Sequence, residues 1–244
     1  MKKLLLAAII LFPLVVCSAE ISYSTIKISE NCASILVNGE IKSGDAEKIE
    51  KYIKLNECTK SSIDPAISFN SNGGDVNEAF KIGRLIRNKN IGTFIDPENS
   101  CISACGLAFV GGVSRDVYGK FGVHRPFSLE LSKGEENSEK NLEIISQSIK
   151  EYLQEMRISE LYYDLMVRIS PQDVKFLNKE QLQAFGIVGN DPVYEDVMLS
   201  KHAKELGITK MELISRKASI KEICGRGIRP YPDPCEDRVL RYGK

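Results

Sequence analysis

The sequence predicts an α/β domain with a mostly parallel sheet, followed by C-terminal helices. Three observations predict it. Short β-branched, apolar runs alternate with stretches of helical periodicity in the order β, α, β, α, β, α, β; such alternation builds a parallel sheet covered by helices. The second apolar run breaks at Asn72-Gly73-Gly74, a turn between a strand and a helix. The segment 103–112 is small or apolar throughout, and a helix that is apolar on every side is buried.

The elements follow in chain order. Met1, Lys2 and Lys3 precede an apolar run over 4–16, shorter than the roughly 20 residues of a bilayer-spanning helix. Basic start, short apolar stretch and small residues at Cys17-Ser18-Ala19 describe a secretory signal peptide cleaved before Glu20. Lipidation at Cys17 is disfavoured by the bulky Val16 before it. The expected organisation is a signal peptide over 1–19, the α/β domain over 20–190, and a helical extension with an irregular tail over 191–244.

Residues 34–41 read as a strand, and Ser43 or Asp45 caps a helix running to about Leu55. Residues 66–70 form the next strand. A helix over 76–87 then places Ala79, Phe80, Gly83 and Ile86 on one face. A third strand, 92–95, is closed by Asp96-Pro97, and the buried helix starts at Ser103. Residues 117–124 are a further strand. Helical spacing of Ile145, Ile149, Tyr152, Leu153 and Met156 marks 138–168. Ser170-Pro171 has the form of a helix start, Asn178 caps a short helix ended by Gly186, and 191–223 holds one or two more helices. The tail, 225–244, is rich in Gly, Pro and charge and is expected to be irregular.

Lys and Arg together number 33, as do Asp and Glu, so charge gives no argument for nucleic acid. No segment after the signal peptide is apolar enough to span a membrane. Seven cysteines become six once Cys17 is removed. An even count in an exported chain favours disulfides. Sequence proximity suggests Cys32–Cys58, Cys101–Cys105 and Cys224–Cys235, one of many pairings that six cysteines allow. Export also takes the chain away from ATP, coenzyme A and nicotinamide cofactors, and no cofactor is expected.

Three local features bear on chemistry. At 70–75, the two glycines permit positive φ and let a substrate approach exposed N–H groups; a plain turn has the same composition. Ser103 opens the buried helix, beside the N–H of Ala104, which the first helical turn leaves unpaired. A nucleophile beside a donor suits acyl transfer, but serine also serves simply as a helix cap. The chain has two histidines. His124 ends the strand after the buried helix, where a general base can reach a nucleophile or a structural histidine can sit. His202 lies in a charged helical stretch and reads as surface. Cys101 and Cys105 with His124 make three soft ligands, fewer than zinc takes, so no metal is expected.

In sequence these segments resemble the proteolytic subunit of the Clp protease, within the Clp-protease/crotonase superfamily. Ile35-Leu36-Val37-Asn38-Gly39-Glu40-Ile41 is similar to its first core strand. Ser68-Phe69-Asn70-Ser71-Asn72-Gly73-Gly74-Asp75 is similar to its I-N-S-P-G-G turn, with Asn72 in place of proline. Ser103-Ala104-Cys105-Gly106 resembles its nucleophile segment, Val123-His124-Arg125-Pro126 its I-H-Q-P, and the stretch from Phe176 to Val188 its F-L-S-…-Y-G-L-V. The likeness runs over about 34–190.

The resemblance implies a repeated ββα spiral domain, Ser103 as nucleophile, His124 as base, and the N–H groups of Gly74 and Ala104 as oxyanion hole. It implies an aspartate before the F-L segment. Asp173 stands one residue further from Phe176 than that pattern requires, and Val174 falls in the slot. Cys101 and Cys105 bracketing Ser103 are similar to a C-x-S-x-C pattern of exported relatives. The expected function is an exported, periplasmic serine peptidase, independent of ATP, acting on peptide or protein substrates and able to assemble as a homo-oligomer. Three other readings stand beside it. One is a non-catalytic binding module on the same scaffold. Another is a crotonase-type thioester enzyme, which export disfavours. The last is a Ser/Lys hydrolase, for which Lys120 is the nearest lysine.

Overall fold

A computed structural model describes residues 22–29, 32–55, 66–126, 138–225 and 233–244. The expected signal peptide lies outside them, as does Cys58, and with it the suggested Cys32–Cys58 pair. The chain is a mixed α/β fold built on a mostly parallel sheet. Its strands are β1 (Ser22–Ser29), β2 (Cys32–Asn38), β3 (Ala66–Asn70), β4 (Gly92–Ile95), β5 (Ser100–Ile102), β6 (Ser114–Val117), β7 (Lys120–Val123), β8 (Lys175–Phe176) and β9 (Gly189–Asn190). The larger sheet has the order β1-β2-β3-β4-β6-β9. β2, β3, β4 and β6 run parallel, and antiparallel β1 and β9 close the two edges. A second sheet, β5-β7-β8, joins β5 and β7 in parallel and adds β8 antiparallel. Ser71 bridges Cys101, so the end of β3 feeds directly into the second sheet.

The helices are α1 (Asp45–Leu55), α2 (Val76–Asn88), α3 (Ala104–Phe109), α4 (Ser138–Glu155), α5 (Glu160–Met166), α6 (Lys179–Ala184), α7 (Pro192–Leu206), α8 (Lys210–Ile223) and α9 (Pro234–Tyr242). α3 is buried along its whole length, as its composition requires. Its Phe109 lies between Phe69 of β3 and Phe121 of β7, with ring centroids 6.4 and 5.6 Å away in edge-to-face geometry. Tyr162 and Phe185 extend the stack. These aromatic contacts weld the two sheets into one core. Among the described residues, no helix is long and apolar enough to cross a membrane.

Several expectations are corrected. The strand expected over 117–124 is two strands, β6 and β7, separated by a turn at Tyr118-Gly119. The helical stretch 138–168 is broken between α4 and α5 by a turn in which Arg157 takes φ 56°. The helix expected after Ser170-Pro171 does not form. The chain makes a turn there, Asp173 N–H to Ser170 O, and then pairs β8 with β7; tertiary pairing overrides the local start pattern. The tail is not irregular throughout. Asp233 caps α9, Pro234 occupies its first turn, Gly243 ends it at φ 73°, and a Cys224–Cys235 disulfide ties it to α8.

Candidate active site

The site is assembled where β3, β5 and β7 end. Ser71 holds β5 in place, its N–H donating to Ser100 O and its carbonyl accepting from Ile102 N–H. β5 then stops at Ile102 and α3 starts at Ala104, so Ser103 alone makes the turn from strand to helix. Its N–H donates to Gly122 O of β7, 3.0 Å away. The turn forces Ser103 to φ 59° and ψ −127°. A non-glycine residue rarely adopts such a conformation, which costs about 1–3 kcal/mol and persists where the surroundings impose it. The hydroxyl makes no hydrogen bond to the first turn of α3. Ser103 therefore does not serve as an ordinary helix cap, although its sequence position allowed that role.

A Cys101–Cys105 disulfide, with Cα atoms 5.3 Å apart, spans this turn. Both cysteines are fully buried. The pairing agrees with the expectation from sequence proximity and encloses Ser103 in a small covalent ring.

The double-glycine turn packs directly on Ser103. A Cβ on Gly73 would lie 2.9 Å from Ser103 Cβ, 2.8 Å from Ile102 O and 3.0 Å from Ala104 N, too close for any side chain. Gly74, at φ 140°, lies against the backbone of Ile41. Ile41 N–H donates to Gly73 O at 2.8 Å, and Asp75 N–H donates to Ile41 O at 2.9 Å. This parallel bridge uses the groups on either side of Gly74 N–H and turns that N–H away from Ile41. Among the described residues, neither Gly74 N–H nor Ala104 N–H donates to a main-chain carbonyl.

The segment carrying Ile41 is itself anchored. Lys42 N–H donates to the Asp45 carboxylate at 2.7 Å, and Ala46 N–H donates to Glu78 at 2.8 Å. Burial raises the Glu78 pKa, but the Ala46 N–H, Lys81 and the Gly44 N–H outweigh it and hold the carboxyl below its usual range.

His124 follows β7 and is buried. Its Nδ1 lies 2.9 Å from Arg125 O. Arg125 N–H in turn donates to Ile169 O, 3.0 Å away. One cavity of about 1340 Å³ is lined by Gly73, Gly74, Ser103, Ala104 and His124 together. Leu107, Ile149 and Met166 give it an apolar wall, while Glu40, Lys42 and Asp75 give it a polar rim. The helical spacing of 138–168 includes Ile149, but nothing in it indicates that this residue lines the cavity with Ser103.

Asp173 is placed differently. It is exposed, its N–H closes the turn to Ser170 O, and the cavity wall reaches Pro171 but does not include it. β8 pairs with β7 through Gly122↔Phe176 and Val123↔Lys175. The pairing ends there, one residue short of both Val174 and His124. The Val174 side chain lies over Gly122, where a Cβ would meet Val174 Cγ1 at 2.8 Å.

No family model matches the chain. No curated protein matches it in sequence. Solved structures similar to it include a mutant of ClpP1 from Listeria monocytogenes, at 19% identity and a TM-score of 0.49, covering 66% of this chain and 93% of that one. Another is a mutant of the membrane-bound stomatin-specific protease 1510-N, at 19% identity and a TM-score of 0.48, covering 69% of this chain and 82% of that one. ClpP1 from Listeria monocytogenes itself matches at 19% identity and a TM-score of 0.48, covering 64% and 88%.

Proposed function

We propose that this chain is an exported serine peptidase that works through an acyl-enzyme at Ser103. The observation that carries the reading is the Ser103 turn. A serine is held in a strained conformation, does not cap its helix, and shares one cavity with a histidine and with two N–H groups that donate to no main-chain carbonyl among the described residues. A sharp strand-to-helix turn presenting a serine is the arrangement of a nucleophile elbow.

In this mechanism His124 takes the Ser103 hydroxyl proton as Oγ attacks the scissile carbonyl. The tetrahedral oxyanion is held by Gly74 N–H and Ala104 N–H. His124 returns the proton to the leaving amine, and water then releases the acyl group by the same steps. The cavity exceeds the roughly 300–1,000 Å³ of small-molecule sites, in keeping with an extended peptide. The motif likeness to Clp proteolytic subunits favours the same substrate class. Export is supported by the two disulfides, which persist in oxidising compartments.

The test is labelling with a fluorophosphonate probe. Wild type is expected to label, and Ser103→Ala to lose all label. His124→Ala is expected to slow labelling at least about 10³-fold, as loss of a triad member does. Undiminished labelling of Ser103→Ala would reject the mechanism.

A further inference from the structure

We infer that the main-chain carbonyl of Arg125 orients His124, in the position where serine hydrolases of this kind place a carboxylate. The inference rests on the hydrolase reading of the same site. A carbonyl oxygen only accepts hydrogen bonds. With Arg125 O 2.9 Å from Nδ1, the neutral ring carries its proton on Nδ1. Nε2 is then left with the lone pair that a general base needs. A triad aspartate acts in the same way, by fixing the tautomer and the ring plane.

The carbonyl is well fixed. Arg125 precedes Pro126, and a residue before proline is confined to extended conformations. Its N–H is anchored on Ile169 O. The peptide that points at Nδ1 is therefore held from both ends. The residue before β8 is Val174, whose side chain carries no acceptor and lies over Gly122, and Asp173 is exposed in its own turn. Arg125 O is thus a positioning group, and Asp173 is a bystander to the chemistry.

The tautomer can be read directly. The chain has two histidines, so ¹⁵N spectra of labelled protein contain two imidazoles, and His202→Asn assigns them. The expected result is a pyrrole-like Nδ1 and a pyridine-like Nε2 for neutral His124, in wild type and in Asp173→Asn alike. Loss of a true triad aspartate costs about 10⁴ in rate. Asp173→Asn is instead expected to label with fluorophosphonate within about tenfold of wild type, well short of that loss. A protonated Nε2 in the neutral ring would overturn the inference, as would a loss approaching 10⁴ on Asp173→Asn. The spectrum needs no turnover. Were wild type never to label, the hydrolase reading would fall while the spectrum still judged the Arg125 pairing.

Discussion

Ser103 carries two separable properties, a hydroxyl and a backbone strain, and substitutions can divide them. Ser103→Ala removes the hydroxyl and keeps a Cβ at φ 59°. Ser103→Gly removes both, and glycine adopts positive φ without steric cost. It also withdraws the Cβ that faces Gly73. Glycine normally destabilises by about 0.5–1 kcal/mol through its freedom in the unfolded chain, whereas relief of this conformation returns about 1–3 kcal/mol. The larger effect decides the sign: Ser103→Gly is expected to be more stable than Ser103→Ala by about 1 kcal/mol. Urea unfolding of the two variants measures it, and a Gly variant less stable than the Ala variant means the turn is not strained. Ser103, His124, Gly74 and Ala104, which line one cavity, were all candidates in the sequence, the hydroxyl and imidazole by their side chains and the two donors through the motif resemblance. The carbonyl of Arg125 was not, since a main-chain acceptor has no signature in side-chain identity.

At the scale of elements, the double-glycine turn is rigid because it is clamped between Ser103 and Ile41. A Cβ on Gly74 would come within 2.1 Å of Ile41 O, and φ 140° is closed to other residues without strain. Gly74→Ala must therefore push the Ile41 segment away and swing its own N–H off the proposed oxyanion position. Removing one oxyanion donor costs about 10²–10³ in rate, and fluorophosphonate labelling is expected to fall by that factor while Ser103 remains intact. Unchanged labelling would remove Gly74 from the oxyanion hole. Elements bounded by turn or cap residues were legible in the sequence: β3, β4, α2 and α6 lie where expected, and Asn178 and Gln181 form the capping box that starts α6. β5 and β8, of three and two residues, were not legible, because strands that short exist only through their partners. α9 is marked at both ends by Asp233, Pro234 and Gly243; the Gly, Pro and charge of the tail suggest irregular chain by composition, whereas their positions specify a helix.

At the scale of the whole molecule, Asp191 joins parts of the chain that no local pattern connects. Its carboxylate is 2% exposed and meets Arg87 of α2 at 2.7 Å and Arg157, from the turn after α4, at 2.9 Å. The same carboxylate caps α7 through Val193 and Tyr194 N–H, and its own N–H donates to Val113 O beside β6. A helix beginning near Asp191 was legible in the sequence. The pairing with Arg87 was not, because only the fold brings the two together. Burial raises the Asp191 pKa, but Arg87, the Tyr194 N–H and Arg157 outweigh it and hold the carboxyl well below the usual range. A folded pKa below the unfolded value of about 3.9 fixes the sign. The stabilisation is complete above that pH and is lost as pH falls towards the folded pKa. Asp191→Asn keeps much of the cap but strands Arg87, so it is expected to cost about 3 kcal/mol at neutral pH. Urea unfolding of both proteins between pH 7 and pH 3 should show the gap narrowing on the acid side, since only the unfolded wild-type chain takes up a proton at this position there, while its folded carboxylate stays charged. Curves that stay parallel through the acid range would mean that Asp191 is held by its hydrogen bonds and not by its charge.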